Sequence, residues 1–543
     1  MQPGASPNLI LTGFMATGKT RVGQEVAQRL SRPFVDMDTE IEGRAGKSIP
    51  QIFAEDGEAA FRRVEADLCR ELGARTGLVI ATGGGALVDP ASRAAMQRSG
   101  TVVCLTCDTD EILRRVRSAG KGERPLLQVA DPRAEIERLL ALRRPAYAAL
   151  PWQVDTTHLT VEQVAQQVAA LAEVVTLPVH HRVEGLAAQA EVAYPVHIGD
   201  GLLPYLGGAL RAAGVPEGSR VAVVSNPVVA PLYGGQVESS LQDGGFQPIG
   251  CSVPDGEQQK TLATVAALYD QFLAGRLDRG STVLSLGGGV TGDIAGFAAA
   301  TFLRGVRFVQ VPTTILAMAD ASVGGKTGVD LAQGKNLVGA FKQPAMVLLD
   351  PAVLVTLPGE EVRSGMAEVI KHGIIGAPDL FAELESHRPG PGAPISASQL
   401  ARTLRVKIDV VEDDPFEEGR RAVLNLGHTV GHSLERLSGF SLRHGEAVAI
   451  GLVAAARISA ELGRAASTLP ERIAAALVAW GLPVRCPPYP VEAIWGAMAH
   501  DKKRRGRSLR WILPHEIGHV EIVDDVPERV VKSVLKELAR SAS

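Results

Sequence analysis

The first part of the chain alternates short apolar runs with amphipathic stretches, and the last part is almost wholly helical in pattern. The apolar run Leu9–Thr12 precedes Arg21–Leu30, whose apolar residues recur with a helical period. Further on, the runs Arg220–Ser225 and Thr282–Leu286 again alternate with helical patterns, as in a parallel sheet covered by helices. Helical periodicity dominates after residue 358. The pattern therefore predicts an α/β chain that ends in an all-helical part.

The domain boundaries follow from changes in this pattern. The 543 residues are too many for one hydrophobic core, and the usual domain size predicts about three units. An amphipathic helix is predicted up to Val175, and new strand-like sequence begins near Glu191–Ile198. We therefore predict three units, spanning residues 1–178, 185–357 and 358–543. The turn-rich stretch Pro389–Pro394 is predicted to be a surface loop between helices.

The composition is that of an ordinary soluble protein, with 45% hydrophobic residues, 21% charged residues and a net charge of −4. The one basic run, Lys502–Arg505, is short, so no nucleic-acid partner is expected. No segment approaches the roughly 20 uninterrupted apolar residues of a membrane span. The N-terminus lacks the basic and apolar regions of a signal peptide. We therefore expect a cytoplasmic protein without a membrane partner.

The five cysteines are scattered along the chain. Cys104 and Cys107 form a C-x-x-C pair, but no second pair completes a zinc site. We predict buried or partly buried free thiols in a reducing compartment.

A phosphate-binding loop follows the first apolar run. Residues Gly13 to Thr20 match G-x-x-x-x-G-K-[ST] at every fixed position, between a predicted strand and a predicted helix. In such a loop the backbone N–H groups and the helix dipole hold phosphates, Lys19 neutralises them and Thr20 binds Mg²⁺. The sequence therefore predicts a nucleotide site with magnesium.

Further motifs in the same unit suit an anionic second substrate. Asp36 and Asp38 are predicted at the end of the second strand, on one side of it, because strand side chains alternate. The triple glycine Gly83–Gly85 lets a backbone approach a ligand closely. Arginines in separate segments, such as Arg62 and Arg143, suit a carboxylate and a phosphate that must both be held.

With these motifs, residues 8 to about 170 resemble the shikimate kinases. The resemblance implies that ATP and Mg²⁺ bind at the P-loop, with Asp36 and Thr20 near the metal and with Lys19 and Arg124 acting on the transferring phosphate. ATP would be bound by Gly13, Ala16, Thr17, Gly18, Lys19, Thr20, Arg117 and Arg124. Shikimate would be held by Asp38, Arg62, Gly83, Gly84, Gly85 and Arg143. Ala16 is a departure, since the family usually has glycine there.

Three potential metal ligands, Glu368, His428 and His444, lie in later segments free of turn signals. If these segments are helical, a carboxylate and two imidazoles can converge and leave coordination positions open, as catalytic zinc requires. A single helical histidine is more often a packing group than a ligand. Here, however, the surroundings are too polar for an ordinary packed helix face, since they include Lys371, His372, Arg421, Asn425 and His432.

His428 and His432 are four residues apart and therefore share a helix face. In the zinc-protease motif H-E-x-x-H the residue after the first histidine is a glutamate that acts as the general base. Thr429 occupies that position, so this chain lacks the catalytic glutamate that a metalloprotease would need. The pair can instead divide its work, one histidine on the metal and the other moving protons.

A second glycine-rich stretch, Gly287–Asp293, follows the run Thr282–Leu286, and its bare backbone suits a dinucleotide pyrophosphate. A glycine triple alone is weak evidence. It is supported by carboxylates, hydroxyls and cations predicted at the same sheet edge, among them Asp255, Glu257, Lys260, Thr313, Thr314, Lys326, Lys335 and Asn336. NAD in this half would then face the metal across a cleft.

Two kinds of enzyme share such an arrangement, the metal-dependent polyol dehydrogenases and the sugar-phosphate cyclases. The cations favour the cyclases, because a neutral polyol needs little positive charge, whereas a substrate with a phosphate and a carboxylate needs much. The cations in question are Arg304, Lys326, Lys371, Lys407, Arg421 and Lys502.

Residues 190 to 543 resemble the 3-dehydroquinate synthases over nearly their whole length. The shared motifs are G-G-G-V-x-G-D, P-T-T, G-K-x-x-x-D, A-E-x-I-K, N-x-G-H-T-x-G-H and H-G-E-A-V. The resemblance implies a Rossmann-like NAD-binding half and a helical metal-binding half. It also implies that 3-deoxy-arabino-heptulosonate 7-phosphate becomes 3-dehydroquinate with loss of phosphate and no net redox change. A homodimer through this part is expected.

The same resemblance implies roles for individual residues. Zn²⁺, with Co²⁺ as the alternative, would be bound by Glu368, His428 and His444, and protons would be transferred by His432 and Glu417. NAD would contact Asn226, Glu257, Lys260, Gly288, Gly289, Asp293, Thr313, Thr314, Lys335 and Thr356. The substrate would contact Arg304, Asp320, Lys326, Asn336, Lys371, Lys407, Arg421, Asn425 and Lys502, with Lys503 as the alternative to Lys502.

Both resemblances together imply a bifunctional enzyme of the shikimate pathway. Three alternatives stay open for the second part. It could be a cyclase for another sugar phosphate, an NAD-dependent polyol dehydrogenase, or a sensor that binds nucleotides without turning them over.

Overall fold

The computed structural model describes residues 6–118, 131–175, 184–188, 194–386, 394–414, 419–505 and 510–539. Side chains are described throughout these ranges except in 184–188 and 499–505. Most of the predicted loop Pro389–Pro394 lies outside the described residues. No helix in the described ranges is both long and apolar enough to cross a bilayer.

The first unit is a five-stranded parallel sheet in the order β2-β3-β1-β4-β5, with helices packed around it. The strands are β1 (Asn8–Gly13), β2 (Phe34–Asp36), β3 (Val79–Ala81), β4 (Gly100–Thr106) and β5 (Trp152–Asp155). The helices are α1 (Lys19–Leu30), α2 (Met37–Ala45), α3 (Ile49–Glu55), α4 (Glu58–Gly73), α5 (Pro90–Ser99), α6 (Thr109–Ser118), α7 (Pro132–Ala148) and α8 (Val161–Val175).

The central strand β1 explains why this unit folds as it does. All six of its residues are buried, because both neighbours pair with it in parallel and helices cover both faces.

One difference from the sequence prediction concerns Asp38. The strand β2 ends at Asp36, and Asp38 lies in the first turn of α2 because the Asp36 side chain caps that helix by accepting hydrogen bonds from the backbone N–H groups of Asp38 and Thr39.

The second unit is built on a seven-stranded sheet in the order β6-β7-β14-β11-β10-β8-β9, parallel except for the edge strand β6. Its strands, with the separate hairpin β12–β13, are β6 (Glu184–Ala188), β7 (Tyr194–Ile198), β8 (Arg220–Ser225), β9 (Gln247–Ser252), β10 (Thr282–Gly287), β11 (Arg307–Pro312), β12 (Lys326–Leu331), β13 (Gly334–Phe341) and β14 (Met346–Leu349). Its helices are α9 (Leu206–Ala212), α10 (Gly235–Asp243), α11 (Leu262–Ala274) and α12 (Gly289–Thr301).

This sheet determines where the predicted cofactor residues lie. Asn226, Gly288 and Thr313 directly follow β8, β10 and β11, which are neighbours in the sheet. Because parallel strands end at the same edge, these residues come together at the carboxyl edge of the sheet, where open α/β sheets bind ligands.

The third unit is mainly helical, as predicted. Its helices are α13 (Gly359–Gly376), α14 (Pro378–Ser386), α15 (Ala397–Asp413), α16 (His428–Leu437), α17 (His444–Glu461), α18 (Leu469–Ala479), α19 (Val491–Arg505) and α20 (Glu528–Leu538). It also contains a hairpin, β15 (Trp511–Glu516) and β16 (His519–Val523), which departs from the expectation of an all-helical part. Gly518, at a φ of 95°, forms the turn, a conformation that glycine adopts readily.

The prediction of buried or partly buried free thiols is confirmed. All five cysteines are free thiols, four of them buried and Cys107 half-buried.

The first two units share a packed interface. Helix α8 packs along α9, Val174 of α8 belongs to the large hydrophobic core of the second unit, and Ala212 of α9 packs against a core of the first. Trp152 of β5 stacks on the ring of His197 of β7, with the ring centroids 5.2 Å apart. His197 is fully buried, and neither ring nitrogen has a hydrogen-bond partner among the described residues. The two units therefore bury apolar surface against each other.

We predict that His197 makes this interface sensitive to acid. Burial lowers the pKa of His197 from 6.5 to about 4, so the folded protein resists a proton that the unfolded chain accepts. The stabilisation is complete above pH 6.5 and is lost as the pH falls from there towards 4, by up to about 3 kcal/mol. His197→Phe keeps the ring stack and removes the titrating group. The thermal unfolding midpoint should therefore change less between pH 7 and pH 5 in this variant than in the wild type. Equal pH dependence in both proteins would contradict the prediction.

Candidate active sites

The P-loop lies between β1 and α1, as predicted. Gly18 precedes α1 at a φ of 95°, and no side chain caps the helix, so its first N–H groups are available to an anion. The Lys19 ammonium donates to the carbonyl oxygens of Gly13 at 3.0 Å and Phe14 at 2.9 Å, which holds it over the loop. The loop therefore fits phosphate groups.

The two residues predicted near magnesium meet beside this loop. The Thr20 hydroxyl donates to a carboxylate oxygen of Asp36 at 2.7 Å. The other Asp36 oxygen caps α2 and is thereby fixed in place. A hydroxyl and a carboxylate are oxygen ligands of the kind that Mg²⁺ prefers.

Ala16, the departure from the family pattern, has a backbone φ of 63°. That left-handed conformation favours glycine, and a side chain there costs on the order of 1 kcal/mol. Its carbonyl accepts a hydrogen bond from Arg115 at 3.3 Å, and Arg115 also donates to the Thr156 hydroxyl at 3.0 Å. Arg115 was not among the predicted site residues. Arg117, a predicted ATP contact, is exposed on α6 and forms no ion pair or hydrogen bond with any described residue.

The triple glycine lies against the predicted shikimate residues. A Cβ atom on Gly83 would lie 2.9 Å from a carboxylate oxygen of Asp38, and one on Gly85 would lie 2.6 Å from the Arg62 guanidinium. Arg143 donates to the Gly84 carbonyl at 3.0 Å, and Tyr147 donates to the same oxygen at 2.6 Å. The polar groups approach this backbone so closely that side chains would displace them.

Two acidic groups of this cluster titrate unusually. Burial, together with the charge of Asp36, raises the pKa of Asp38. Burial also raises the pKa of Glu65, although the Arg62 guanidinium 2.6 Å away opposes that effect. Glu65 was not predicted as a site residue. Its three-residue spacing from Arg62 on α4 is the sequence signal that could have identified it. Arg124 lies outside the described residues.

In the third unit, α13, α16 and α17 bring the predicted metal ligands together. Glu368 is fully buried in the middle of α13, and His428 and His444 are the first residues of α16 and α17. The Nε2 atoms of His428 and His444 lie 3.7 Å and 3.4 Å from the same carboxylate oxygen of Glu368. The three ligand atoms lie within 4.8 Å of one another.

The donor set fits a metal ion. Neither carboxylate oxygen of Glu368 has a hydrogen-bond partner among the described residues, although the Lys371 ammonium forms an ion pair with one of them. The Nδ1 atom of His428 lies 3.1 Å from the Leu426 carbonyl, which leaves its Nε2 atom for the cluster. One carboxylate and two imidazole nitrogens are typical ligands of catalytic zinc.

The electrostatics of the cluster favour a charged carboxylate. Burial would raise the pKa of Glu368, but Lys371 and the two histidines hold it well below its usual range. Burial and the Lys371 ammonium lower the pKa of His428 to about 3, so its ring is neutral, as a ligand must be. Burial also disfavours a charged His444, yet Glu368 and Glu435 raise the pKa of His444 to about 10 in the metal-free protein.

Several predicted substrate contacts lie beside this cluster. The ammonium of Lys407 lies 2.7 Å from a carboxylate oxygen of Asp320, and Nε2 of the buried His372 lies 4.0 Å from the same oxygen. Burial lowers the pKa of Lys407, with Arg421 and Lys371 adding to the effect and Asp320 opposing it. These cations therefore lie close enough to repel one another, as expected of a site for an anion.

The predicted cofactor residues form ion pairs at the sheet edge. Lys260 lies 2.6 Å from Asp293 and donates to the Asn336 side chain, so Asn336, a predicted substrate contact, lies on the cofactor side. Lys335 lies 3.1 Å from Glu257 and also 4.8 Å from the ring centroid of Phe440, in the loop before α17. Lys335 therefore links the α/β half to the helical half.

Other predicted cofactor residues also lie at this edge. Asn226 donates to Asp255 at 2.7 Å, and the hydroxyls of Thr356 and Tyr233 are 2.6 Å apart. Gly288 and Gly289 form the start of α12, where no side chain caps the helix. Bare N–H groups at a helix start suit a pyrophosphate.

Several of the other predicted substrate and proton-transfer residues lie at the surface or outside the described residues. Arg304 is exposed after α12 and makes no ion pair or hydrogen bond with a described residue. Lys326 is exposed at the start of β12. Glu417 lies outside the described residues, as does the side chain of Lys502.

Comparisons with known proteins match both parts of the chain. Residues 15–173 match the family described as Shikimate kinase. Residues 250–364 match 3-dehydroquinate synthase N-terminal, and residues 365–504 match 3-dehydroquinate synthase C-terminal. A 3-dehydroquinate synthase of Nostoc punctiforme is 46% identical over 353 residues, which are 64% of this chain and 97% of the relative. The chain belongs to the 3-dehydroquinate synthase family. A shikimate kinase unit precedes the synthase in the same chain, so both resemblances are confirmed.

Two solved structures are also similar. A 2-epi-5-epi-valiolone synthase from Streptomyces hygroscopicus subsp. jinggangensis, with NAD⁺ and Zn²⁺ bound, is 30% identical. The match covers 65% of this chain and 99% of that chain, with a TM-score of 0.59. A shikimate kinase from Acinetobacter baumannii in complex with shikimate is 37% identical, covering 32% of this chain and 96% of that chain, with a TM-score of 0.31. The α/β class with a helical last unit is confirmed by the sheets and helices of the chain and by the likeness to the valiolone synthase structure.

The sequence prediction for the synthase missed one residue of the metal cluster. Glu435 is buried on α16, and its carboxylate oxygen lies 3.4 Å from Nδ1 of His444. It follows His428 by seven residues and His432 by three, so all three share one face of the helix. That spacing places Glu435 on the face of the histidines, but it does not reveal the contact with His444, which belongs to the next helix.

We predict that Lys371→Met destabilises the metal-free synthase by about 3–5 kcal/mol, because it leaves the Glu368 carboxylate buried without its cation. Urea unfolding after chelator treatment measures the free energy of unfolding. The matched control is Lys532→Met, which removes ion pairs to Glu492 and Glu528 at the surface and should change little. Equal effects of the two substitutions would show that the buried pair does not stabilise the fold.

Proposed function

We propose that the chain is a bifunctional enzyme of aromatic amino-acid biosynthesis. Its first unit transfers a phosphoryl group from ATP to shikimate and yields shikimate 3-phosphate. Its second part converts 3-deoxy-arabino-heptulosonate 7-phosphate to 3-dehydroquinate and releases phosphate. The convergence of Glu368, His428 and His444 beside the buried cations Lys371 and Lys407 carries this second assignment. A metal for an alcohol and cations for a phosphate and a carboxylate match this substrate.

In the kinase, the chain's own groups bind and orient two anions. Lys19 and the N–H groups before α1 hold the phosphates of ATP, and Thr20 with Asp36 holds Mg²⁺. Arg62 and Arg143 hold the shikimate carboxylate beside the triple glycine. Phosphoryl transfer needs mainly this positioning and charge neutralisation. Arg124 is proposed to act on the transferring phosphate.

In the synthase, bound zinc would polarise an alcohol oxygen while bound NAD would accept and return a hydride. Glu368, His428 and His444 hold the metal, with cobalt as the alternative ion. The sheet edge with Gly288, Gly289 and Lys260 holds NAD. Lys371, Lys407 and Arg421 hold the substrate's anionic groups from buried positions. His432 and Glu417 move protons.

The assignment of His432 to proton transfer rests on its position. It is exposed on α16, with its ring centroid 5.1 Å from that of His428 and 6.1 Å from that of His444. It is thus close to the proposed metal without belonging to the triad that contains Glu368. An exposed imidazole beside the proposed ion can exchange protons with substrate and solvent.

Sequence identity supports a 3-dehydroquinate synthase over the alternatives. The relative from Nostoc punctiforme is 46% identical to this chain, whereas the solved 2-epi-5-epi-valiolone synthase is 30% identical. A polyol dehydrogenase has no use for several buried cations beside the metal. A sensor needs neither a metal triad nor the polar cluster around the triple glycine.

Three further expectations belong to the proposal. Residues 1–178, 185–357 and 358–543 would be the three units. The synthase part would form a homodimer, and the protein would be cytoplasmic.

A synthase and a dehydrogenase differ in their products, which provides the test. Purified chain supplied with 3-deoxy-arabino-heptulosonate 7-phosphate should release phosphate without net NADH, because the cofactor is used and restored in each turnover. With glycerol and NAD, no NADH should accumulate. Accumulation of NADH without phosphate release would replace this proposal with a dehydrogenase.

His428→Ala should lose bound zinc, because it removes one of three ligands. His432→Ala should keep near-normal zinc content and lose about 10²–10⁴-fold in turnover, the usual contribution of a general acid–base group. Zinc analysis of both purified variants, together with turnover, distinguishes the roles. Equal zinc loss in both would mean that His432 is a ligand.

Lys19→Ala should abolish shikimate-dependent ATP consumption and leave dehydroquinate formation unchanged, because the Lys19 ammonium donates to carbonyl oxygens of its own P-loop, in the kinase unit. Both turnovers are measured on the same purified protein. Loss of synthase turnover in this variant would show that the two sites are coupled.

A further inference from the structure

The imidazole of His444 lies between two buried carboxylates. Its Nε2 atom is 3.4 Å from Glu368, and its Nδ1 atom is 3.4 Å from Glu435. The side chain of Glu368 is fully buried and that of Glu435 is 8% exposed. The two nitrogens of an imidazole point in different directions, so Glu368 and Glu435 contact different sides of the ring.

This arrangement assigns different tasks to the two nitrogens. An ion that also binds Glu368 and His428 reaches His444 through Nε2, because that nitrogen faces them. The Nδ1 atom then carries the proton of the neutral ring and can donate it to Glu435. His428 has the corresponding arrangement, since its Nδ1 atom lies 3.1 Å from the Leu426 carbonyl. Such partners of metal-binding histidines fix the tautomer and the ring orientation and increase ligand basicity.

We infer that Glu435 is a positioning residue for the metal site, which holds His444 through Nδ1 so that Nε2 faces the ion. This inference rests on the proposed metal function of Glu368, His428 and His444. Glu435 and His428 belong to the same helix, seven residues apart, so α16 supplies one ligand directly and orients another. Removing Glu435 should therefore weaken metal binding without removing a ligand.

A competing arrangement uses the same residues. His432, Glu435 and His444 also have ligand atoms within 4.8 Å of one another, so Glu435 could be a direct ligand of a second ion. His432 is exposed, and the third corner of that group would be the Nδ1 atom of His444. Metal stoichiometry separates the two arrangements, because positioning needs one ion per chain and the alternative needs two.

The test uses the intact chain, freed of metal by chelator and titrated with zinc against a chromophoric competitor. Wild type should bind one zinc per chain. Glu435→Gln and Glu435→Leu should still bind one zinc, with a dissociation constant raised about 10–100-fold, as is typical when such a partner is lost. The matched control is Glu461→Gln, which removes the same charge from the exposed far end of α17 and should leave zinc affinity unchanged.

Urea unfolding of each metal-free variant serves as the folding control for the helical unit, and shikimate kinase turnover serves as the control for the first unit. Affinities equal to wild type in both Glu435 variants would overturn the positioning role and leave the metal assignment intact. Two zinc ions in wild type and one in the variants would show that Glu435 is a ligand. Absence of stoichiometric zinc in wild type would overturn the metal assignment itself, together with this inference.

Discussion

The helical unit of the synthase depends on one buried charge, the carboxylate of Glu368. A carboxylate with no exposed surface costs several kcal/mol unless a cation or a metal compensates for it. Lys371 on the same helix compensates at one carboxylate oxygen in the metal-free protein, and two histidines at the starts of α16 and α17 approach the other oxygen. The packing of three helices is thus organised around a group that is stable only with these partners. Metal binding and helix packing are therefore two consequences of one constraint.

The α/β units use a different device, the carboxyl edge of a parallel sheet. In the kinase, β1 leads into the P-loop, and in the synthase β8, β10 and β11 end beside one another at the cofactor residues. Backbone N–H groups at uncapped helix starts are available to anions there, beside the ammonium groups of Lys19 and Lys260. In the proposed function, these sheet edges would bind phosphate groups, and the buried ion pairs of the helical unit would serve the metal and the anionic substrate.

Features that the sequence alone could predict were those tied to a contiguous pattern. The P-loop, the glycine triples and the helical spacing of His428 and His432 each combine residue type with a local conformation, and the structure has them where the pattern put them. The prediction placed Asp38 on a strand, but β2 ends two residues earlier, at Asp36, because the Asp36 side chain caps α2. The hairpin β15–β16 was missed because two short strands carry too few residues to stand out in helical surroundings.

Contacts between distant segments were the harder part. Glu435 becomes significant only because the loop after α16 returns His444 to its side chain, which no local pattern reveals. The same holds for Trp152 and His197, which come from different units and stack on each other. Their burial, with that of Val174, means that the kinase and the synthase bury apolar surface together although their proposed chemistries use separate residues. A shared apolar interface couples stabilities, because either unit alone would expose these side chains to water. Fusion of the two enzymes can therefore stabilise each fold without any exchange of intermediates between their sites.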